Sequence, residues 1–159
     1  MVSINIYMEV FMKYNSLKMT SLIITIFMVV SICSLIFAYP ISLWFCDFSH
    51  SVDAEGKVFY FTITLLLGFI PAFTSLVCLK KLVKAIENDD TFTLKNIKLL
   101  NIISKCCSVA CLLCFVSAIY YIVWCFVGVA AGFMALLIRV IKDTFIRAYE
   151  IKTENDLTI

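Results

Sequence analysis

Charge is missing from most of this sequence. Asp, Glu, Lys and Arg are absent from residues 19–46, 58–79 and 106–138. Charged residues make up 15% of the chain and apolar ones 63%. A soluble domain of 159 residues could not cover that much apolar surface, so lipid must be the solvent for much of it. The same gaps leave no carboxylate or basic group at the centre of an apolar stretch, which removes the usual mark of a proton relay or ion path. Histidine occurs once, at His50, among Asp47, Asp53 and Glu55. One imidazole with solvated acids reads as a soluble loop rather than a cation or pH-sensing site. Nucleophile elbows, phosphate-binding glycine loops and zinc-protease helices are all missing. The net charge of +2, without a basic stripe, excludes direct nucleic-acid binding. No internal repeat or low-complexity segment divides the chain, so one domain is expected.

The apolar stretches themselves set the architecture. A membrane-crossing helix needs ~20 mostly apolar residues, and the first two stretches fit one crossing each. The third, with 33 residues, would be ~50 Å long as a single helix against a ~30 Å hydrocarbon core. Two short crossings with a tight hairpin near residues 124–128 fit better, Lys105 and Arg139 snorkelling at their ends. One long tilted helix, giving three crossings, is the alternative. Charge asymmetry favours four. Lys13, Lys18, Lys80, Lys81, Lys84, Lys95, Lys98, Lys105, Arg139, Lys142, Arg147 and Lys152 then lie on one side, and the segment after the first crossing has only Lys57. Basic residues stay in the cytoplasm, and Trp44, Phe59, Tyr60, Tyr120, Tyr121 and Trp124 fall at the opposite interface.

The expected fold is therefore all-α: an integral membrane four-helix transmembrane bundle, N-in/C-in, with cytoplasmic helical extensions. The crossings are placed at about 20–45, 58–79, 103–123 and 127–143, and the cytoplasmic segments at 1–18, 80–102 and 144–159. Residues 1–18 suit a short helix along the inner leaflet. The first apolar stretch is too long for a signal-peptide h-region and no A-x-A-like site follows it, so it is expected to stay as an anchor. Pro40 should kink the outer end of the first crossing, and Gly68 with Pro71 should bend the second. Thr93 is placed to cap the third helix, with Asn96 where a capping box would carry Glu or Gln.

Cysteine is plentiful, at eight residues, four of them in "CCSVACLLC" at 106–114. Cys111 and Cys114 form a C-x-x-C, the spacing used by quinone-linked thiol oxidases of the four-helix membrane type. With the hairpin at 124–128, Cys114 would lie ~15 Å below the outer end of its helix, too deep for a substrate thiolate. Structural packing is the expected role, because buried cysteine behaves as a small apolar residue. No metal site is expected, since no His or carboxylate joins the group. Cys46 and Cys125 differ: both should sit at the outer face, where an oxidising compartment would allow a disulfide. Gly128 and Gly132, four apart beside Ala131 and Ala135, form a small-residue stripe for helix packing, with a homodimer face as its alternative use.

Two remaining segments belong to the cytoplasmic side, "DDTFTLKNIKLL" at 89–100 and "FIRAYEIKTENDLTI" at 145–159. A Phe-Thr-x-x-Asn opening the third helix (Phe92, Thr93, Asn96) and an ending Glu-Asn-Asp-Leu-Thr-Ile (Glu154, Asn155, Asp156, Leu157, Thr158, Ile159) resemble the YoaS-like bacterial membrane family, domain-of-unknown-function family 2975. The resemblance covers nearly the whole chain in layout. It departs from the family in a very short outer hairpin between the third and fourth crossings and in the cysteine load. It implies no known enzymatic activity and no cofactor, a place in the bacterial plasma membrane, and company with a small Cro/Xre-type helix-turn-helix regulator, with sequestration of that regulator at the membrane as the expected role.

The expected function is a non-enzymatic integral membrane protein with lipid bilayer around it and a cytoplasmic helix-turn-helix regulator as partner. The interaction surface is expected at Phe92, Thr93, Asn96, Asn155, Asp156, Leu157 and Ile159. The apolar pair Leu157 and Ile159 is read as a latch that folds back onto Phe92 and the middle segment, or adds as a strand to a partner's sheet edge. The alternatives are the thiol oxidase at Cys111 and Cys114 and passive transport of a neutral solute along the bend at Gly68 and Pro71.

Overall fold

A computed structural model describes the backbone of residues 2–48, 54–88 and 91–157 and the side chains of residues 16–44, 58–88 and 91–155. Five helices follow one another: α1 (Val2–Ile36), α2 (Ala38–Phe48), α3 (Ala54–Glu87), α4 (Leu94–Ser117) and α5 (Val123–Leu157). Four contain stretches long and apolar enough to cross a membrane, Ser16–Ile36, Val58–Glu87, Leu94–Ser117 and Val123–Asn155. The protein is an all-α, four-crossing membrane protein. The surface of these helices explains why: Phe27, Val30, Ile70, Leu112, Val116 and Leu136 are all more than half exposed, as side chains facing lipid must be.

Helix α1 is a single run of 35 residues, ~52 Å long, so residues 2–18 continue the first crossing rather than form a separate helix along the leaflet. It breaks at Phe37. Pro40 cannot donate to the carbonyl of Ile36, and its ring would collide with that carbonyl in a continuous helix. The chain restarts at Ala38, which places Pro40 in the first turn of α2, where a missing N–H costs nothing. The amide of Phe37 still donates to the carbonyl of Cys33 and that of Ile41 to Phe37, both at 3.0 Å, so few groups are left orphaned. Pro71 has a milder effect: α3 runs on through Gly68 and Pro71 without interruption.

The hairpin lies elsewhere than expected. Helix α4 ends at Ser117 and α5 begins at Val123, so residues 118–122 make the turn. The amides of Tyr120 and Tyr121 both donate to the Ser117 carbonyl at 3.3 Å, and the Trp124 amide donates to Tyr121 at 3.1 Å. Trp124 and Gly128, placed in the turn by the sequence reading, are inside α5. The reason is that Gly128 serves helix contact, not chain reversal, as shown below. Because the chain reverses here, the single long helix and its three-crossing topology are excluded.

Helix α3 occupies the centre. Helices α1, α2 and α4 all pack against it, and α5 packs mainly against α4. Among the described residues α1 approaches only α2 and α3 closely. A cleft is left between α1 and the α4–α5 pair, with α3 as its floor.

Candidate functional site

The end of the molecule rich in lysine is built around the turn from α3 to α4. Thr93 has extended backbone (φ −128°, ψ 153°) and its hydroxyl accepts from the Asn96 amide, which caps α4. Asn96 cannot complete a capping box with its shorter side chain. Its Nδ2 instead donates to the Thr91 carbonyl at 2.8 Å, and at 2% exposure the residue is nearly sealed. Helix α5 carries its amphipathic extension past this turn. The ring of Phe145 meets that of Phe92 at 5.2 Å, and beyond it Tyr149, Lys152 and Thr153 share a cavity of about 560 Å³ with Thr93 and Lys95.

The structure thus brings Phe92, Thr93 and Asn96 together with the last turns of α5. Phe92, expected to dock the tail, meets Phe145, an earlier residue of the same helix. Asn155 is exposed on α5, and the backbone of Asp156 and Leu157 is helical. The side chains of residues 156–159, on which the latch depends, lie outside the described residues.

The contact between α4 and α5 is made by cysteine against glycine. A Cβ added at Gly128 would meet Cys114 Cβ at 3.3 Å and the Cys111 carbonyl oxygen at 3.5 Å. One added at Gly132 would meet Cys111 Sγ at 3.1 Å. The stripe at Gly128 and Gly132 therefore packs within one chain, and the C-x-x-C face fills the space those glycines leave. Both cysteines are free thiols. The depth expected for Cys114 needs correction. It sits three residues before the end of α4, or ~5 Å of helix rise, because the turn comes early. Cys125 is also a free thiol, and the Cys46 side chain lies outside the described residues. No cluster of three metal-ligating side chains occurs among the described residues.

Two polar groups were missed by the sequence reading. Arg139, expected only to snorkel, donates from Nε to Ser104 Oγ and from a terminal nitrogen to Ser108 Oγ, each at 3.3 Å. Ser104 in turn donates to the Ala135 carbonyl at 3.2 Å, which stitches α4 to α5 near the basic end. At the opposite end, the Thr64 hydroxyl lies 2.9 Å from Ser117 Oγ and is hydrogen-bonded to the Tyr120 hydroxyl, which also approaches the Tyr60 carbonyl. Phe61 packs on Trp124 (5.4 Å) and edge-on to Tyr121 (6.2 Å). The Trp124 indole N–H is buried there with no hydrogen-bond partner. A sequence signal existed for both groups, hydroxyls at helical spacing, but their partners are about 30 to 60 residues away.

The central cleft holds about 360 Å³, lined by Ser31 and Ser34 of α1, Thr64 and Gly68 of α3, and Cys114 and Val127 of the far wall among others. No lining residue is charged.

Neither curated proteins nor solved structures gave a match to this chain. A family model did: the one described as "Protein of unknown function (DUF2975)" matches residues 13–159, from within α1 to the last residue. The match spans all four apolar helices and the capped α3–α4 turn, and the chain belongs to the DUF2975 family.

Proposed function

We propose that this is a non-catalytic protein of the bacterial plasma membrane, with both termini in the cytoplasm, whose lysine-rich end docks a cytoplasmic protein. The observation that carries this reading is the platform where α5 leaves its apolar span and is held to the α3–α4 turn by Phe92 and Phe145. Lys95 and Lys152 flank the groove beside it and suit an acidic partner surface. A small helix-turn-helix regulator is the partner favoured by the family resemblance, and sequestering it at the membrane would be the activity. The charge asymmetry described above supports the orientation.

The test is co-purification of the full chain with small helix-turn-helix regulators of its own cell. A chain ending at Asn155 and a Lys95→Glu, Lys152→Glu double variant serve as comparisons. Loss of the regulator in either one supports the reading, whereas full capture by both overturns it. A reporter enzyme fused after Ile159 checks orientation independently: activity confined to the outside of the cell inverts the map.

One observation favours the thiol oxidase as a second reading, the position of Cys114 one turn from the helix end. Its partner groups do not: Cys111 and Cys114 face glycines of α5. Labelling of either cysteine by a water-soluble maleimide in intact cells would revive it, and protection in both reduced and oxidised protein ends it.

A further inference from the structure

Gly68 is out of keeping with the other helical glycines. A Cβ added there would meet nothing within 4 Å, although Gly128 and Gly132 are both pressed against α4. Glycine inside a helix is destabilising relative to alanine, and in lipid it is normally explained by close helix approach. Packing does not explain it here. What Gly68 leaves is volume, at the floor of the cleft of about 360 Å³.

The wall formed by α1 adds a second oddity. Hydroxyls on these helices generally donate back to their own carbonyls four residues earlier, as in Thr20 to Ser16 and Thr25 to Ser21 at 2.9 Å, or Thr74 to Ile70 at 2.8 Å. Ser31 and Ser34 do not, and among the described residues neither hydroxyl has a hydrogen-bond partner. They lie three positions apart, hence on one face of α1, and both line the cleft. An unpartnered hydroxyl in a low-dielectric site is costly, so a ligand oxygen that accepts from it gains more than it would in water. The far wall supplies Leu113, Trp124 and Val127, with no charge to neutralise an ion.

We propose that the cleft binds one neutral, acyl-chain-sized molecule whose carbonyl oxygen accepts hydrogen bonds from Ser31 and Ser34 and whose chain lies over Gly68. The absence of lining charge selects against carboxylates and phosphates inside the cleft. The volume is at the small end for ligand sites, which suits a single chain rather than a whole phospholipid. Two sources offer this chemistry: the ester and upper chain of a membrane lipid, or a free fatty ester. The site is independent of the docking end, so either proposal can fail alone.

The experiment is photolabelling of the full chain in liposomes with two probes, a diazirine-bearing fatty acid methyl ester and phosphatidylglycerol carrying the same diazirine chain. Adducts are located by mass spectrometry and competed with unlabelled methyl palmitate. The structure predicts saturable adducts on residues 30–38 or 64–72, from the ester if the ligand is free and from the phospholipid if it is a membrane lipid. Gly68→Leu fills the floor and should abolish them. Ser31→Ala with Ser34→Ala should weaken labelling about fivefold, the loss of two modest hydrogen bonds. Thermal unfolding in detergent shows whether each variant remains folded, and the serine pair is the second variant that keeps the test open should Gly68→Leu not fold. Labelling that is non-saturable with both probes, or unchanged in folded Gly68→Leu or in the folded serine pair, overturns the proposal. So does crosslinking in which a second copy of the chain occupies the cleft.

Discussion

Helices α4 and α5 meet across Gly128 and Gly132, where a methyl group would sit within 3.1–3.3 Å of the cysteines opposite, whereas Gly68 on α3 faces the cleft beside α1, where a methyl group has nothing to touch. The two halves of the molecule are equally apolar, so the hydrophobic effect cannot distinguish them: lipid solvates a leucine as well as another helix does. The tight half is held by close contact and polar stitching, Cys111 and Cys114 in the glycine gaps and Arg139 on Ser104 and Ser108. In the loose half a side-chain tie joins α1 to α3 near the basic end, Lys80 Nζ donating to Thr25 Oγ1 at 3.1 Å. Ile24 is the one fully buried apolar side chain described on α1. Helix α2 is better fixed. Ser42, wholly buried, donates to the Ala38 carbonyl at 2.6 Å, and the Thr62 hydroxyl of α3 shares its proton between Ser42 Oγ (2.9 Å) and the Val58 carbonyl (2.8 Å). The lesson is that a membrane bundle of uniform hydropathy can keep one face closed and another open to a ligand.

The sharpest way to break this comparison is Gly128→Leu, expected to cost about 3 kcal/mol through overpacking against Cys114 and to separate α4 from α5. Reversible unfolding in mixed micelles measures it. If Gly128→Leu and Gly68→Leu cost the same, the two halves do not differ as described. Arg139→Ala comes next, at about 1–2 kcal/mol, because two hydroxyls lose a charged donor. Its effect should appear as faster hydrogen exchange in α4 around Ser104, with α1 unchanged. Gly68→Ala has the opposite sign: a gain of about 0.5–1 kcal/mol from lower unfolded-state entropy, because nothing opposes the added methyl. A loss instead would mean that the floor of the cleft is closed in the membrane. The smallest effect is Ser42→Ala, about 0.6 kcal/mol, since Thr62 can still donate to Val58. Proteolysis near the α2 end should report it before global unfolding does.

Much of the fold was legible in the residues. The uncharged stretches locate four crossings, Pro40 marks where α1 must stop, and Thr93 marks where α4 starts, since each acts through its own backbone or its immediate neighbours. The hairpin was misplaced because a 33-residue uncharged stretch carries no charge to mark where it reverses, whereas the helix-packing role of Gly128 and Gly132 was legible from their spacing. A hydroxyl in an apolar helix is expected to hydrogen-bond to its own helix or to a neighbour, as Thr62, Thr64 and Ser108 do and Ser31 and Ser34 do not. Nothing along α1 distinguishes them, because what sets them apart is the cleft across from them. For the candidate docking end, Phe92, Thr93 and Asn96 could be singled out from their motif, but their partner Phe145 could not.

Hydropathy by itself determined roughly where this chain crosses the bilayer, because that depends on the length of each apolar stretch against the thickness of the hydrocarbon; charge asymmetry favoured four crossings over three, and the turn between α4 and α5 decided it. The tertiary structure decided which glycine is a contact and which is a void, and which hydroxyls are left facing a cleft. Those outcomes rest on short-range packing between helices far apart in sequence, and apolar helices in lipid gain little from one arrangement over another until their surfaces fit.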